Sequence, residues 1–187
     1  PDMKITKGVS TKIVKLINRG KIRPNTILIG PGLTGIAKEI GILIYKLHNL
    51  GIPIIICDGA LQREAIKYVK EGKYVIVATE KILNKLFNLK KGKDIEGDIE
   101  NIASIAKTRD IVLWVIKSDG TEILADKKRA YLNELMKGKP KPIKYGMTSV
   151  FASIAACIVK PEEELLKAVL KASYICSKCY ENITVNY

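Results

Sequence analysis

Four short apolar runs constrain the fold of this chain more than any other feature. They are TILI at 26–29, IPIII at 52–56, YVIVA at 74–78 and IVLWVI at 111–116. Each is short, rich in β-branched residues and bounded by turn or helix-start signals, which is typical of a buried strand. Continuous apolar strands that alternate with helices predict an α/β fold whose mostly parallel sheet is covered by helices on both faces.

The segments between these runs predict helices. Ser10 is predicted to cap the first helix, with Gly20 at its end, and Thr34 to cap the second, with Gly51 at its end. Thr79 is predicted to cap a later helix over 80–88. The remaining predicted helices cover 61–71, 99–107, 147–159 and 162–180.

The turn SDGT at 118–121 predicts a hairpin. The strand after it, at 121–126, would pair antiparallel with the run at 111–116. Residues 127–145 are basic and are predicted to be irregular. No repeat or linker interrupts the chain, so one domain over 1–187 is predicted.

Positive charge dominates the composition. The chain has 32 Lys and Arg against 19 Asp and Glu, for a net charge of +13. This balance suits contact with nucleic acid, an acidic partner or an anionic ligand, or else a solvated lysine-rich surface. The basic run at 127–144 contains one aromatic residue, Tyr131, so stacking on single strands has little support. Abundant Ile and Lys with one Gln, Gln62, fits a thermophile.

The four cysteines predict neither a metal site nor a disulfide framework. Cys57 and Cys157 stand in apolar runs and are predicted to be core thiols. Cys176 and Cys179 form one C-x-x-C within a predicted helix. A zinc site needs four ligands, and the only histidine, His48, is distant in sequence. No apolar run reaches membrane-spanning length, so a cytoplasmic protein without membrane contact is predicted.

Polar and glycine-rich segments follow three of the predicted strands, where open α/β sheets bind ligands. GPGLTG at 30–35 permits either a phosphate cradle or a simple tight turn. Asp58, at the end of a buried strand, would cap the next helix or meet a ribose, a metal or a substrate. Lys117 follows the strand at 111–116 and would reach the site or lie in solvent.

The segment GKPKPIKYGMTSVFASIAAC at 138–157 is a basic loop followed by small residues. A helix that starts there would offer free N–H groups and partial positive charge to an anion. Tight helix packing explains the small residues equally well. The segment contains no Asp, Glu or His, so it brings no acid or base of its own.

Taken in order, these motifs resemble the ribokinase-like superfamily, and within it the ADP/ATP-dependent NAD(P)H-hydrate dehydratases. GPGL at 30–33 is similar to that family's G-P-G-L. Asp58 with Ala60 and Leu61 is similar to its D-A-D-A-L, with Gly59 in place of an acid. Lys117 corresponds to the Lys of its L-K-G turn, and Gly138 with Pro140 to its G-N-P.

The resemblance implies a three-layer ribokinase-like sandwich that lacks the family's N-terminal portion. It implies ADP or ATP as cofactor, with Mg²⁺, and dehydration of hydrated NADH or NADPH driven by nucleotide hydrolysis. The implied nucleotide or anion site contains Lys117, Gly138, Gly146, Met147 and Thr148. The implied substrate side contains Gly30, Gly32 and Asp58.

One departure from the family pattern bears directly on activity. The family's G-T-G-D falls on Gly146, Met147, Thr148 and Ser149, so Ser149 stands where the family has its catalytic Asp. A neutral serine without an adjacent base cannot replace that acid. The family's T-P-H-x-G-E is also lost at 77–83, where Glu80 is the only acid.

These observations leave three functional hypotheses. The first is a degenerate dehydratase-like domain, a pseudoenzyme that binds nucleotide or anion and acts in a homo-oligomer or on an active paralogue. The second is an active dehydratase or a related small-molecule kinase. The third is a basic module that binds nucleic acid.

Overall fold

The computed structural model describes residues 3–69, 71–89, 92, 94–134 and 147–184. No helix within these residues is both long and apolar enough to span a bilayer. The strands are β1 (Met3–Ile5), β2 (Ile27–Ile29), β3 (Leu33–Gly35), β4 (Ile54–Cys57), β5 (Tyr74–Thr79), β6 (Val112–Ile116), β7 (Glu122–Ala125) and β8 (Ala130–Asn133). The helices are α1 (Lys7–Asn18), α2 (Ala37–His48), α3 (Arg63–Ile66), α4 (Glu80–Phe87), α5 (Ile95–Arg109), α6 (Met147–Ile158) and α7 (Leu165–Thr184).

Six strands form the main sheet, in the order β2-β4-β5-β6-β7-β8. The first four run parallel, while β7 and β8 are antiparallel to their neighbours. The hairpin prediction at 118–126 is therefore confirmed. Strands β1 and β3 form a separate parallel pair.

Helices cover both faces of the sheet, which makes the fold a three-layer α/β sandwich, as predicted. Alternate residues of the strands point to opposite faces. On one face, Trp114 and Leu124 pack with α6 and α7, and the Trp114 ring stacks on Phe151 at 5.1 Å. On the other face, Leu113 and Ile76 pack with α2 to α5. Trp114 is fully buried.

Two of the three predicted helix caps are wrong, and one of these errors has a long-range cause. Ser10 is buried inside α1, and the cap is Thr6, whose hydroxyl accepts a hydrogen bond from the Val9 N–H. Thr34 lies in β3, because this segment pairs with β1, and α2 begins at Ala37. The Thr79 cap is confirmed: its hydroxyl accepts a hydrogen bond from the Ile82 N–H.

Three segment predictions also need correction. The helix predicted over 61–71 is reduced to Arg63–Ile66. The basic stretch at 127–145 contains β8, since the hairpin continues into a third antiparallel strand. The last helix runs over Leu165–Thr184, three residues beyond the predicted start, while α6 matches its prediction within one residue.

Candidate functional site at the carboxyl edge of the sheet

The carboxyl ends of the four parallel strands meet at one edge of the sheet, which we call the carboxyl edge. Gly30, Asp58, Glu80 and Lys117 follow β2, β4, β5 and β6 there. Because β7 runs the opposite way, Glu122 at its start lies at the same edge. The fold therefore places most of the polar residues that are candidates for a binding site at the carboxyl edge.

The carboxylate of Asp58 is held by the first turn of α6. One carboxylate oxygen accepts a hydrogen bond from the Thr148 hydroxyl, and the other accepts one from the Ser149 hydroxyl. Helix amino ends carry partial positive charge, so a carboxylate is stabilised at this position. The structure thus supplies Ser149 with an acidic neighbour, which the local sequence lacks.

The backbone of Asp58 is strained. Its φ angle of 42° lies in the left-handed region, which residues other than glycine rarely adopt. The residue begins a single 3₁₀ turn over Asp58–Ala60 directly after β4. Such strain persists only where surrounding contacts impose it, and it is concentrated at functional sites.

Burial makes Cys57, the last residue of β4, a poor nucleophile. Removal from water, together with the charge of Asp58 and a hydrogen bond to it, raises the pKa of the Cys57 thiol to about 12. The reactive form of cysteine is the thiolate. Cys57 therefore stays protonated at neutral pH and serves as part of the core, as predicted.

Two glycines at this edge allow one loop to pack directly against another. A Cβ atom added at Gly30 would lie 1.9 Å from the Cys57 carbonyl oxygen, and one added at Gly59 would lie 2.0 Å from the Leu33 carbonyl oxygen. This packing accounts for both glycines without a ligand. Gly32 differs, since it has φ 64° and an added Cβ would meet no described atom within 4 Å.

Lys117 lies in a cluster of acids on the α4–α5 side of the sheet. Its ammonium donates a hydrogen bond to Asp98 and lies 3.9 Å from a Glu80 carboxylate oxygen. Burial opposes the charged form, but the hydrogen bond to Asp98 and the charges of Glu80, Asp98 and Asp119 outweigh it and raise the pKa of Lys117. Two carboxylates thus already balance the cation that the family resemblance assigns to nucleotide binding.

We expect the Lys117→Met substitution to destabilise the fold by about 2 kcal/mol, because it leaves Asp98 and Glu80 without their cation in a largely buried cluster. Urea denaturation at pH 7 measures the change. The matched control is Lys127→Met, which breaks the exposed pair between Lys127 and Asp110 at 2.8 Å. The control should leave the denaturation midpoint unchanged, and equal effects of both variants would contradict a buried cluster.

A second carboxylate, Glu122, is enclosed on the α6–α7 side. One of its oxygens accepts hydrogen bonds from the Trp114 indole at 3.0 Å, the Asn133 amide at 3.4 Å and the Ser173 hydroxyl. Its other oxygen has no hydrogen-bond partner among the described residues. Burial raises the pKa of Glu122 to about 7, although the hydrogen bonds favour the charged form.

Sequence reasoning missed Glu122. The available signal was a lone acid inside the apolar strand TEILA, which is predicted to pair with a fully buried strand. The charge of Glu122 also affects Cys176 on α7. Burial and then this charge raise the pKa of Cys176 to about 12.

The other candidate residues are distributed as follows. Met147 begins α6 and is partly buried, whereas Gly138 and Gly146 lie outside the described residues. Cys157 is exposed, which corrects its prediction as a core thiol, because it falls on the outer side of α6. In the described ranges, no three His, Cys, Asp or Glu side chains cluster closely enough to hold a metal ion.

Comparison with known proteins gives similarity in structure only. No family model matches the chain. No curated protein matches it either. Solved structures match over nearly the whole chain, at low sequence identity.

One such structure is the ADP/ATP-dependent NAD(P)H-hydrate dehydratase from Bacillus subtilis, co-crystallised with ATP/Mg²⁺. It has 16% identity and a TM-score of 0.68, and the match covers 98% of this chain and 71% of that one. The ADP complex of Bacillus subtilis pyridoxal kinase has 15% identity and a TM-score of 0.67, covering 91% and 69%.

Phosphomethylpyrimidine kinase from Clostridium difficile 630 has 13% identity and a TM-score of 0.64, covering 92% of this chain and 76% of that one. At such identities the likeness establishes architecture and no activity. These structural matches extend over 91% to 98% of this chain, so the chain has the ribokinase-like fold.

Proposed function

We propose that this chain binds ADP or ATP at the carboxyl edge and acts through binding rather than turnover, as a degenerate dehydratase-like domain. The observation that carries the proposal is the contact between Asp58 and Ser149. Where the family pattern has a catalytic acid, this chain has a hydroxyl that donates its hydrogen to a neighbouring carboxylate. A neutral hydroxyl is a far weaker base than a carboxylate, so Ser149 does not by itself take up a substrate proton at neutral pH.

The first turn of α6 would hold the phosphates. Helix amino ends offer unpaired N–H groups and partial positive charge to anions, and Met147 and Thr148 lie in this turn. Asp58 already lies there, so a phosphate that approaches without a counterion meets a negative charge. The solved dehydratase that resembles this chain was co-crystallised with ATP/Mg²⁺, and the pyridoxal kinase structure is an ADP complex.

The acids at this edge fit a magnesium ion that arrives with the nucleotide. Mg²⁺ is commonly held by one or two carboxylates together with substrate phosphates. Asp58 offers carboxylate oxygens at the α6 end, and Glu80, which already lies beside Lys117, follows the neighbouring strand β5 at the same edge. Bound magnesium would supply charge neutralisation between the phosphates and Asp58.

An active dehydratase is the second candidate, and the same contact favours it. Asp58 is a carboxylate within hydrogen-bond distance of the position that the family pattern gives to its base. In this alternative Asp58 accepts the substrate proton, and the Thr148 and Ser149 hydroxyls orient it. The two candidates share the nucleotide and differ in turnover.

Titration calorimetry with ADP and ATP, with and without magnesium, tests the proposal. We expect one saturable site per chain. Removing magnesium or making Asp58→Asn should each weaken binding of the Mg-nucleotide about tenfold, which corresponds to roughly 1.4 kcal/mol. The control Glu100→Gln neutralises an exposed acid on α5 and should leave binding unchanged. No saturable binding to the folded chain would refute the proposal.

Turnover of hydrated NADH separates the two candidates. We expect none from the natural chain, and clear turnover that is lost in Asp58→Asn would establish the second candidate instead. Ser149→Asp alone is a poor rescue, because it places a second carboxylate against Asp58, and like charges raise each other's pKa. The informative rescue is the double variant Asp58→Asn with Ser149→Asp, which restores one acid at the family's position.

A further inference from the structure

A row of cations lies on the outer side of α1. It borders two adjoining concavities of about 610 and 480 Å³, which share Thr11 and Lys15. We call them together the α1 groove. Its lining residues include no acid, and its cations are Lys7, Lys12, Lys15, Arg19 and Lys46.

The charges of this row are uncompensated. No carboxylate in the described part of the chain forms an ion pair with Lys12, Lys15 or Arg19. These three residues are spaced three and four apart, so they are neighbours on the helix surface and repel one another. Lys7 opens the helix, and the first turn contains no acid to offset it. Lys15 and Arg19 lie at the carboxyl end of α1, where the helix dipole favours a cation. The unfavourable part is the mutual repulsion within the row, and a bound polyanion would relieve that repulsion.

We propose that the α1 groove binds the phosphate backbone of double-stranded nucleic acid without sequence preference. From Lys12 to Arg19 the helix rises roughly 10 Å, which equals the axial rise of about three base pairs of a duplex. Asn18 and Asn49 line the groove and add amide donors of the kind that commonly contact phosphate and sugar oxygens.

The lining of the groove favours a duplex over other polyanions. Single-stranded nucleic acid is usually held by stacking on aromatic rings, and the groove residues include none. Protein partners usually insert large aromatic or apolar anchors into a pocket, and the large apolar residues here are Val14, Leu16 and Leu50, none of them aromatic. A row of cations with polar donors suits a regular phosphate backbone.

The groove lies away from the carboxyl edge. Lys46, Asn49 and Leu50 belong to the last turn of α2 and its exit. That exit leads into the amino end of β4, at the opposite edge of the sheet from Asp58. The proposal is therefore independent of the nucleotide site, and either one can fail alone.

Fluorescence anisotropy with labelled 24-base-pair RNA and DNA duplexes of mixed sequence tests this proposal. We expect binding that weakens about 100-fold between 50 and 200 mM KCl, as contact with roughly four phosphates predicts. The triple variant Lys12→Gln, Lys15→Gln, Arg19→Gln should weaken binding at 50 mM about 100-fold. Its thermal midpoint should change little, because the removed repulsion and the lost charges at the carboxyl end of α1 are of similar size and opposite sign.

The matched control has the same net charge. Lys81→Gln, Lys85→Gln and Lys107→Gln remove three exposed lysines from α4 and α5, and the control should bind the duplex nearly as well as the natural chain. Three results would overturn the proposal: no duplex binding at 50 mM, equal losses in both triple variants, or tighter binding of polyglutamate than of either duplex. The last would identify an acidic protein as the partner.

Discussion

Replacing Gly30 by alanine is expected to destabilise the chain by about 3 kcal/mol or more, since the added methyl group overpacks a site that has no room for it. The methyl would lie 1.9 Å from the Cys57 carbonyl oxygen, which is backbone and cannot rotate away. Gly30 also has φ 142°, a conformation that disfavours any side chain. The loop after β2 and the end of β4 would have to separate.

The control for this prediction is Gly51→Ala. Gly51 also has a positive φ, of 68°, but an added Cβ there meets no described atom within 4 Å. Its cost should be about 1 kcal/mol, from backbone conformation alone. For a chain of this size, Gly30→Ala should lower the thermal midpoint by roughly 6 to 12 °C and Gly51→Ala by roughly 2 to 4 °C. Equal shifts would show that the two loops are not in close contact.

The same contact affects function, because Asp58 follows Cys57 directly. If the loops separate, the Asp58 carboxylate moves away from the hydroxyls of Thr148 and Ser149. We therefore expect Gly30→Ala to weaken nucleotide binding even at temperatures where the variant is folded. The glycine acts on the site by positioning Asp58.

The fold was predictable because its buried strands produce local patterns of apolar residues in the sequence. Buried parallel strands are continuous apolar runs, and β4, β5 and β6 all appear as such runs in the sequence. The errors arose where distant residues decide the structure. Thr34 lies in a strand because β1 pairs with β3. Strand β8 forms because it pairs with the free edge of β7. Neither partner is visible in the local sequence.

The candidate site was predictable only in part, for the same reason. That the strand ends at Asp58 and Lys117 share one edge follows from parallel pairing. The contact between Asp58 and Ser149 does not, since 91 residues separate them. The acids around Lys117 come from α4 and α5, whose positions depend on packing across the sheet.

Glu122→Gln is expected to abolish a loss of about 3 kcal/mol in unfolding free energy that the natural chain undergoes as the pH rises. The pKa of Glu122 rises from 4.5 to about 7 on folding, and each pKa unit corresponds to about 1.36 kcal/mol. Between pH 4.5 and pH 7 the folded state therefore binds more protons than the unfolded state. The contribution of Glu122 to stability must therefore fall as pH rises through this window and level off above pH 7.

The glutamine variant has no such titration. Relative to the natural chain, it should gain about 3 kcal/mol in unfolding free energy between pH 4.5 and pH 8. Urea denaturation across that range measures the difference, and acids common to both proteins cancel in it. Glu100→Gln, which makes the same substitution at an exposed acid on α5, is the matched control.

Two opposing influences act on the pKa of Glu122, and this experiment shows which is larger. Burial favours the neutral acid, whereas Trp114, Asn133 and Ser173 all donate to one oxygen and favour the carboxylate. If the difference in unfolding free energy between the two proteins stays constant across the pH range, the three hydrogen bonds have the larger effect and Glu122 stays charged. If the variant gains unfolding free energy between pH 4.5 and pH 7, burial has the larger effect. In that case α7 packs against a neutral acid at low pH and a charged one above pH 7.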